Sequence, residues 1–184
     1  MASKSSQPRN PVQTARARRM AALTRRDYIN LLVRLCVIAL AAWIVFSHVF
    51  LITQCEGQGM FPAIEDGDLI IGYRLHRDYA KGEVVVYTVD GQPRLGRIVA
   101  RETDYVMMDA ESGKLKINGT TQGGEIMYPT YAKEGIAYPY RVPEGTVFVL
   151  GDYHTQTEDS RDFGPVPLNN IQGKVITIVR RRGV

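Results

Sequence analysis

The sequence predicts a mostly β chain: one N-terminal transmembrane helix followed by an antiparallel, barrel-like body. Three observations predict it. An apolar run from Leu35 to Ile52, "LCVIALAAWIVFSHVFLI", is interrupted only by Ser47 and His48. With Leu31-Leu32-Val33 ahead of Arg34, it approaches the ~20 residues that cross a hydrocarbon core of about 30 Å. Beyond residue 53, short runs rich in Val, Ile and Tyr recur between Gly, Pro, Asn and Asp, the punctuation of strands and turns. No long helical period follows residue 53, and closely spaced strands without crossover helices imply antiparallel meanders.

The chain divides at its charges. Residues 1–28 form a basic tail, polar and proline-punctuated, hence expected to be disordered. Lys4, Arg9, Arg16, Arg18, Arg19, Arg25 and Arg26 lie in it, and no acid precedes Asp27. Residues 29–53 are the expected anchor. The arginine-rich side of an anchor stays in the cytoplasm, so everything after Thr53 is expected outside the cell membrane. No small-x-small cleavage site follows the apolar run in "ITQCEG", which favours an uncleaved anchor over a removed signal. Arg34 can snorkel to the interface, and membrane lipid is the first expected partner.

The net charge of +4 does not indicate nucleic acid, because the excess sits in the tail and in Arg180-Arg181-Arg182; the body between is near neutral. Cys36 and Cys55 are the only cysteines. On one helix they would lie about 28 Å apart, too far to bridge. No metal or cofactor is expected.

Residues 54–184 form the expected β body. Its strand candidates are "DLIIGYRL", "GEVVVYTV", "RLGRIVAR", "DYVMMDA", "KLKING", "GTVFVLGD" and "GKVITIVRR". Gly113 and Asn118-Gly119 read as turns flanking a hairpin strand. Residues 120–141, rich in Gly and Tyr, read as an irregular surface excursion.

Three blocks carry the chemistry. The first is Gly57-Gln58-Gly59-Met60-Phe61-Pro62 with Gly67-Asp68. The second is Gly96-Arg97-Ile98-Val99, after the strand Gly82-Glu83-Val84-Val85-Val86-Tyr87. The third runs from Gly151-Asp152-Tyr153 through Thr157 to Asp159-Ser160-Arg161 and Gly164. In order and spacing they resemble the bacterial type I signal peptidase family, membrane-anchored serine proteases that remove signal peptides from exported proteins. The resemblance covers roughly residues 30–180.

That resemblance implies a serine–lysine dyad, in which the serine hydroxyl attacks the scissile carbonyl and a desolvated lysine takes its proton. Matched position by position, the serine falls on Gly59 and the lysine on Gly96. Glycine supplies neither group, so the chain is expected to be a catalytically degenerate member. Met60, Phe61 and Pro62 are expected to meet lipid or to line a groove for an extended peptide. Gly67, Asp68, Arg97, Gly151, Asp152, Asp159, Ser160, Arg161 and Gly164 are expected to hold the frame, with Asp159 and Arg161 as an ion pair.

The expected partners are extended segments of exported proteins or pilins, since relatives without the dyad are thought to assist pilus assembly. An active peptidase with an unrecognised nucleophile is the alternative. Cys55 reads as an interfacial residue, His154 as a surface histidine, and the lysines at 81, 114, 116, 133 and 174 as solvent-exposed. If only the dyad is lost, weak activity is expected from the double change Gly59→Ser with Gly96→Lys.

Overall fold

The structure is a computed structural model and describes residues 11–123 and 128–180. The described residues form two compact units that divide between Phe46 and Ser47. In the first, helix α1 begins at Pro11 and runs on to Val49. Residues 11–28, expected as a disordered tail, are therefore helical, and residues 50–53, expected to end the anchor, open the first strand. The part of α1 from Thr24 to Val49 is long and apolar enough to cross a membrane. Its Leu35, Ile38, Trp43 and Phe46 side chains are all exposed. Apolar side chains turned outward around a helix suit a hydrocarbon surround rather than water.

The second unit is antiparallel throughout. Its strands are β1 (Phe50–Gln54), β2 (Leu69–Tyr73), β3 (Val84–Val89), β4 (Gln92–Arg101), β5 (Tyr105–Met108), β6 (Leu115–Ile117), β7 (Thr120–Thr121), β8 (Tyr140–Arg141), β9 (Thr146–Leu150), β10 (Val166–Pro167) and β11 (Ile171–Val179). A short helix, α2 (Ser160–Phe163), and a 3₁₀ turn, Leu168–Asn170, complete it. The larger sheet has the order β1-β2-β11-β3-β4-β9-β10, the smaller β7-β6-β5-β8. The larger sheet does not close: β1 and β10 are its two edges, so the unit is a pair of open sheets rather than a closed barrel.

Alternation along the strands builds the core. On β3, Val85 and Tyr87 face one cluster with Ile98, Val147 and Val149. Val86, between them, faces the other way onto Leu51, Cys55, Met60, Ile64 and Ile70. This period of two is what a sheet buried on both faces requires. Phe148 and Leu150 of β9 point opposite to Val147 and Val149, onto Val106, Leu115 and Ile117 of the smaller sheet. The two sheets therefore share β9 as a wall.

Strand β4 is paired unequally on its two sides. The whole of β3 pairs with the Gln92 to Arg97 part of β4. β9 joins the other side of β4 only from Arg97 onward, starting with Arg97 against Leu150. From Gln92 to Gly96 that second side carries no strand among the described residues. Pro93, which cannot donate to a ladder, sits in this open stretch, as edge prolines do.

Candidate functional site

The first and third blocks meet directly. The Tyr153 N–H donates to the Gly59 carbonyl at 3.0 Å. A Cβ on Gly151 would come within 2.6 Å of that same carbonyl oxygen and 2.9 Å of Thr157 Cβ. Glycine at 151 is what allows this approach. Gly67, in the left-handed region at φ +87°, turns the loop so that its N–H reaches the Cys55 carbonyl at 2.9 Å. The Asp68 carboxylate accepts the Glu65 N–H at 3.1 Å and closes the loop.

The second block is tied to the third by a fork. Arg97 Nε donates to one oxygen of Asp152 at 2.8 Å and its Nη2 to the other at 2.7 Å. Behind it, Asp159 and Arg161 form a second two-pronged pair, at 2.8 and 2.7 Å, with Arg161 only 2% exposed. Arg161 Nη2 also donates to the His154 carbonyl at 2.6 Å. Asp159 caps α2 by accepting the Arg161 N–H, and the Gly164 N–H closes that turn onto the Ser160 carbonyl. The Ser160 hydroxyl accepts the Val149 N–H at 2.9 Å. Ser160 is thus a strut between α2 and β9, fully buried.

Between the first block and the open stretch of β4 lies a cleft of about 590 Å³. Gly59, Gln58, Leu95 and Thr157 are among its lining residues. The two positions matched to the dyad differ here. Gly59 lines the cleft, and a Cβ built on it would meet only the Thr157 methyl at 3.1 Å. Gly96 does not line it; its neighbour Leu95 does. A Cβ on Gly96 would overlap Val149 Cγ1 and lie 3.1 Å from Tyr87 Cε1 and 3.2 Å from the Leu150 carbonyl oxygen. The space beside Gly96 is core.

Several expectations change. Met60 is 1% exposed and packs with Ile64, Ile70 and Val86, so it floors the cleft and faces no lipid. Phe61 is the exposed member of the trio. Cys55 is buried rather than interfacial. Burial, with Asp66, Asp68 and Glu56 nearby, pushes its thiol up to about 11. His154 is buried too, bonded through Nδ1 to the Thr130 hydroxyl; burial, then the Arg161 charge, hold its pKa below the usual value. Lys133 is not free in solvent but bonds Asp162 at 2.6 Å, and Lys174 pairs with Glu83. Among the described residues no group of His, Cys, Asp or Glu could hold a metal.

The segment from Tyr128 to Lys133 is the largest surprise. It lies within the stretch expected to be a surface excursion, yet it is fastened to the third block. Besides Thr130–His154 and Lys133–Asp162, the Tyr131 carbonyl accepts from Arg161 Nη1 at 3.3 Å, and Tyr128 stacks on Tyr153 at 4.6 Å. Nothing in the Gly- and Tyr-rich sequence marks these partners. Thr157 was legible only as a member of the third block, not as the neighbour of Gly59.

Comparison with known proteins fits this geometry. The family described as "Signal peptidase, peptidase S26" matches residues 26–180. The chain belongs to the signal peptidase family. Signal peptidase I of Bacillus caldolyticus is 29% identical over 159 residues, covering 78% of this chain and 84% of that protein. The "Probable thylakoidal processing peptidase 2, chloroplastic" of Arabidopsis thaliana is 33% identical over 133 residues, covering 64% of this chain and 34% of its own. This chain thus spans about a third of the length of that relative. A crystal structure of a signal peptidase I from Enterococcus faecalis V583 aligns with a TM-score of 0.44 and 22% identity, over 54% of this chain and 97% of that one. In signal peptidase terms, the first block lines the cleft, the second holds one wall, and the third locks both.

Proposed function

We propose that this chain is a membrane-anchored member of the signal peptidase family that binds extended segments of exported proteins, pilins among them, and does not cleave them. The observation that carries the reading is the open side of β4 from Gln92 to Gly96, unpaired by any described strand and running along a cleft of about 590 Å³. An extended peptide laid there continues the sheet where β9 leaves it. Binding of this kind needs backbone groups and apolar pockets, not a nucleophile. In this reading the N-terminus is cytoplasmic and the β unit lies outside the cell membrane, as the arginine-rich tail directs.

An active peptidase would need another nucleophile, and the candidates near the cleft are each engaged. The thiolate, not the thiol, attacks, and the Cys55 thiol at about 11 is held protonated. The Ser160 hydroxyl is spent on the Val149 N–H inside the core. The Thr157 hydroxyl donates to Asp159 at 2.9 Å, and Asp159 is itself neutralised by Arg161. The side of Thr157 turned to Gly59 is a methyl group.

The test of the binding mode is backbone chemistry. An extended apolar peptide should bind the full-length protein, and N-methylation at alternate residues, which removes the N–H groups facing β4, should weaken binding several-fold. N-methylation at the intervening residues should matter less. Equal effects at every position would mean that no strand is added to β4.

A further inference from the structure

We infer that the recess beside Gly59, walled by Phe61 and Tyr153 and rimmed by Glu65 and Asp66, receives the cationic side chain of a lysine or arginine from the bound peptide. This rests on reading the cleft as a peptide groove and adds what that peptide should carry. The recess, of about 310 Å³, is next to the cleft, and Gln58 lines both. Its wall is fixed: the bond from the Tyr153 N–H to the Gly59 carbonyl sets Tyr153 beside position 59. The Phe61 and Tyr153 rings lie 6.1 Å apart, and Tyr128 backs the second ring. Phe61 is 38% exposed, a large apolar surface left open beside two exposed carboxylates.

The two carboxylates are not used up by the fold. Asp66 Oδ1 accepts the Gly57 N–H at 2.7 Å, which leaves Oδ2. The Glu65 carboxylate has no hydrogen-bond or ion-pair partner among the described residues, and no described lysine or arginine pairs with either acid. An aromatic face attracts a cation, and a lysine or arginine stem lies along apolar surface while its head stays polar. The recess offers both parts: rings for the stem and the cation's face, carboxylates for its hydrogen bonds. A small inorganic cation would use the carboxylates and leave the rings idle. An acidic side chain would be repelled, and an apolar one would use only the rings.

The experiment uses the full-length protein in detergent and fluorescent alanine–valine octapeptides carrying one lysine, moved position by position, against the same peptides with norleucine. At one position the lysine peptide should bind about tenfold more tightly than its norleucine counterpart, with the advantage shrinking at high salt. Glu65→Gln and Tyr153→Leu should each remove most of that advantage. Glu65→Lys should reverse it, so that glutamate at the same position binds better than lysine. Equal binding of lysine and norleucine peptides at every position overturns the recess alone, as does a lysine preference untouched by these variants. Failure of every octapeptide to bind overturns the groove reading and this assignment with it.

Discussion

Val149 stands in the space that a side chain at Gly96 would enter. On β9 it packs with Tyr87 and Ile98, and a Cβ at 96 would overlap its Cγ1. Arg97, the next residue along β4, is clamped to Asp152, so the strand cannot slide to relieve the overlap. The position matched to the lysine therefore has its side-chain space occupied by Val149.

Reinstating the pair is accordingly harder than two substitutions. Gly59→Ser alone should fold well, since the Thr157 methyl has only to yield a few tenths of an ångström. Gly96→Lys should destabilise the protein by at least the roughly 1–3 kcal/mol of an overpacked core. The double change should show no cleavage of a signal peptide. Adding Val149→Ala, which opens the space, is the variant in which activity would first appear. Thermal melts and a cleavage assay on the four variants check this. Activity in the double variant without Val149→Ala would show that the core at Gly96 yields.

Arg161→Ala should lower stability by about 3–5 kcal/mol, the range for breaking a buried charge pair and leaving one partner uncompensated. The loss should be this large because Arg161 also serves the His154 carbonyl and the Tyr131 carbonyl, joining α2 to the segment around Thr130. Denaturant unfolding of the β unit measures it. An unchanged midpoint would mean that the third block is not held by this pair.

His154 predicts an acid-side loss. Its folded pKa is depressed, chiefly by burial and next by Arg161, so below the ordinary histidine pKa near 6.5 the unfolded chain binds a proton that the folded chain refuses. Stability then rises with pH wherever the unfolded state binds more protons. Melting temperature should fall as pH drops below about 6.5, level off once below the folded pKa, and fall less in His154→Gln. Parallel pH profiles for the two proteins would remove His154 as the cause.

For topology, an impermeant thiol reagent on intact cells should label Lys114→Cys and spare Ser5→Cys, with both native cysteines replaced by serine. The opposite pattern would reverse the assigned orientation.

The strands were legible because Val, Ile and Tyr runs between turn residues can do little else. Every strand expected from such a run is present. The short strands β7, β8 and β10 were not legible, since two residues carry no periodicity. Side-chain direction in the loops was the other blind spot. Met60 and Phe61 are neighbours in an irregular segment, and only the packing against Ile64 and Ile70 decides that one goes in and the other out. The burial of Cys55 and His154 was hidden for the same reason: it comes from partners far along the chain. The glycine at 96 was legible as a missing lysine, but not as a position already filled by a residue 53 places on.

Incubating the purified wild-type chain with a signal-peptide substrate, beside an active family member as control, tests the proposal of binding without cleavage most directly, provided cleavage and binding are measured together. The expected result is binding of the peptide and no product, with Cys55→Ser and Thr157→Val leaving both as they were. Sustained cleavage by the wild type, abolished by either substitution, would contradict it.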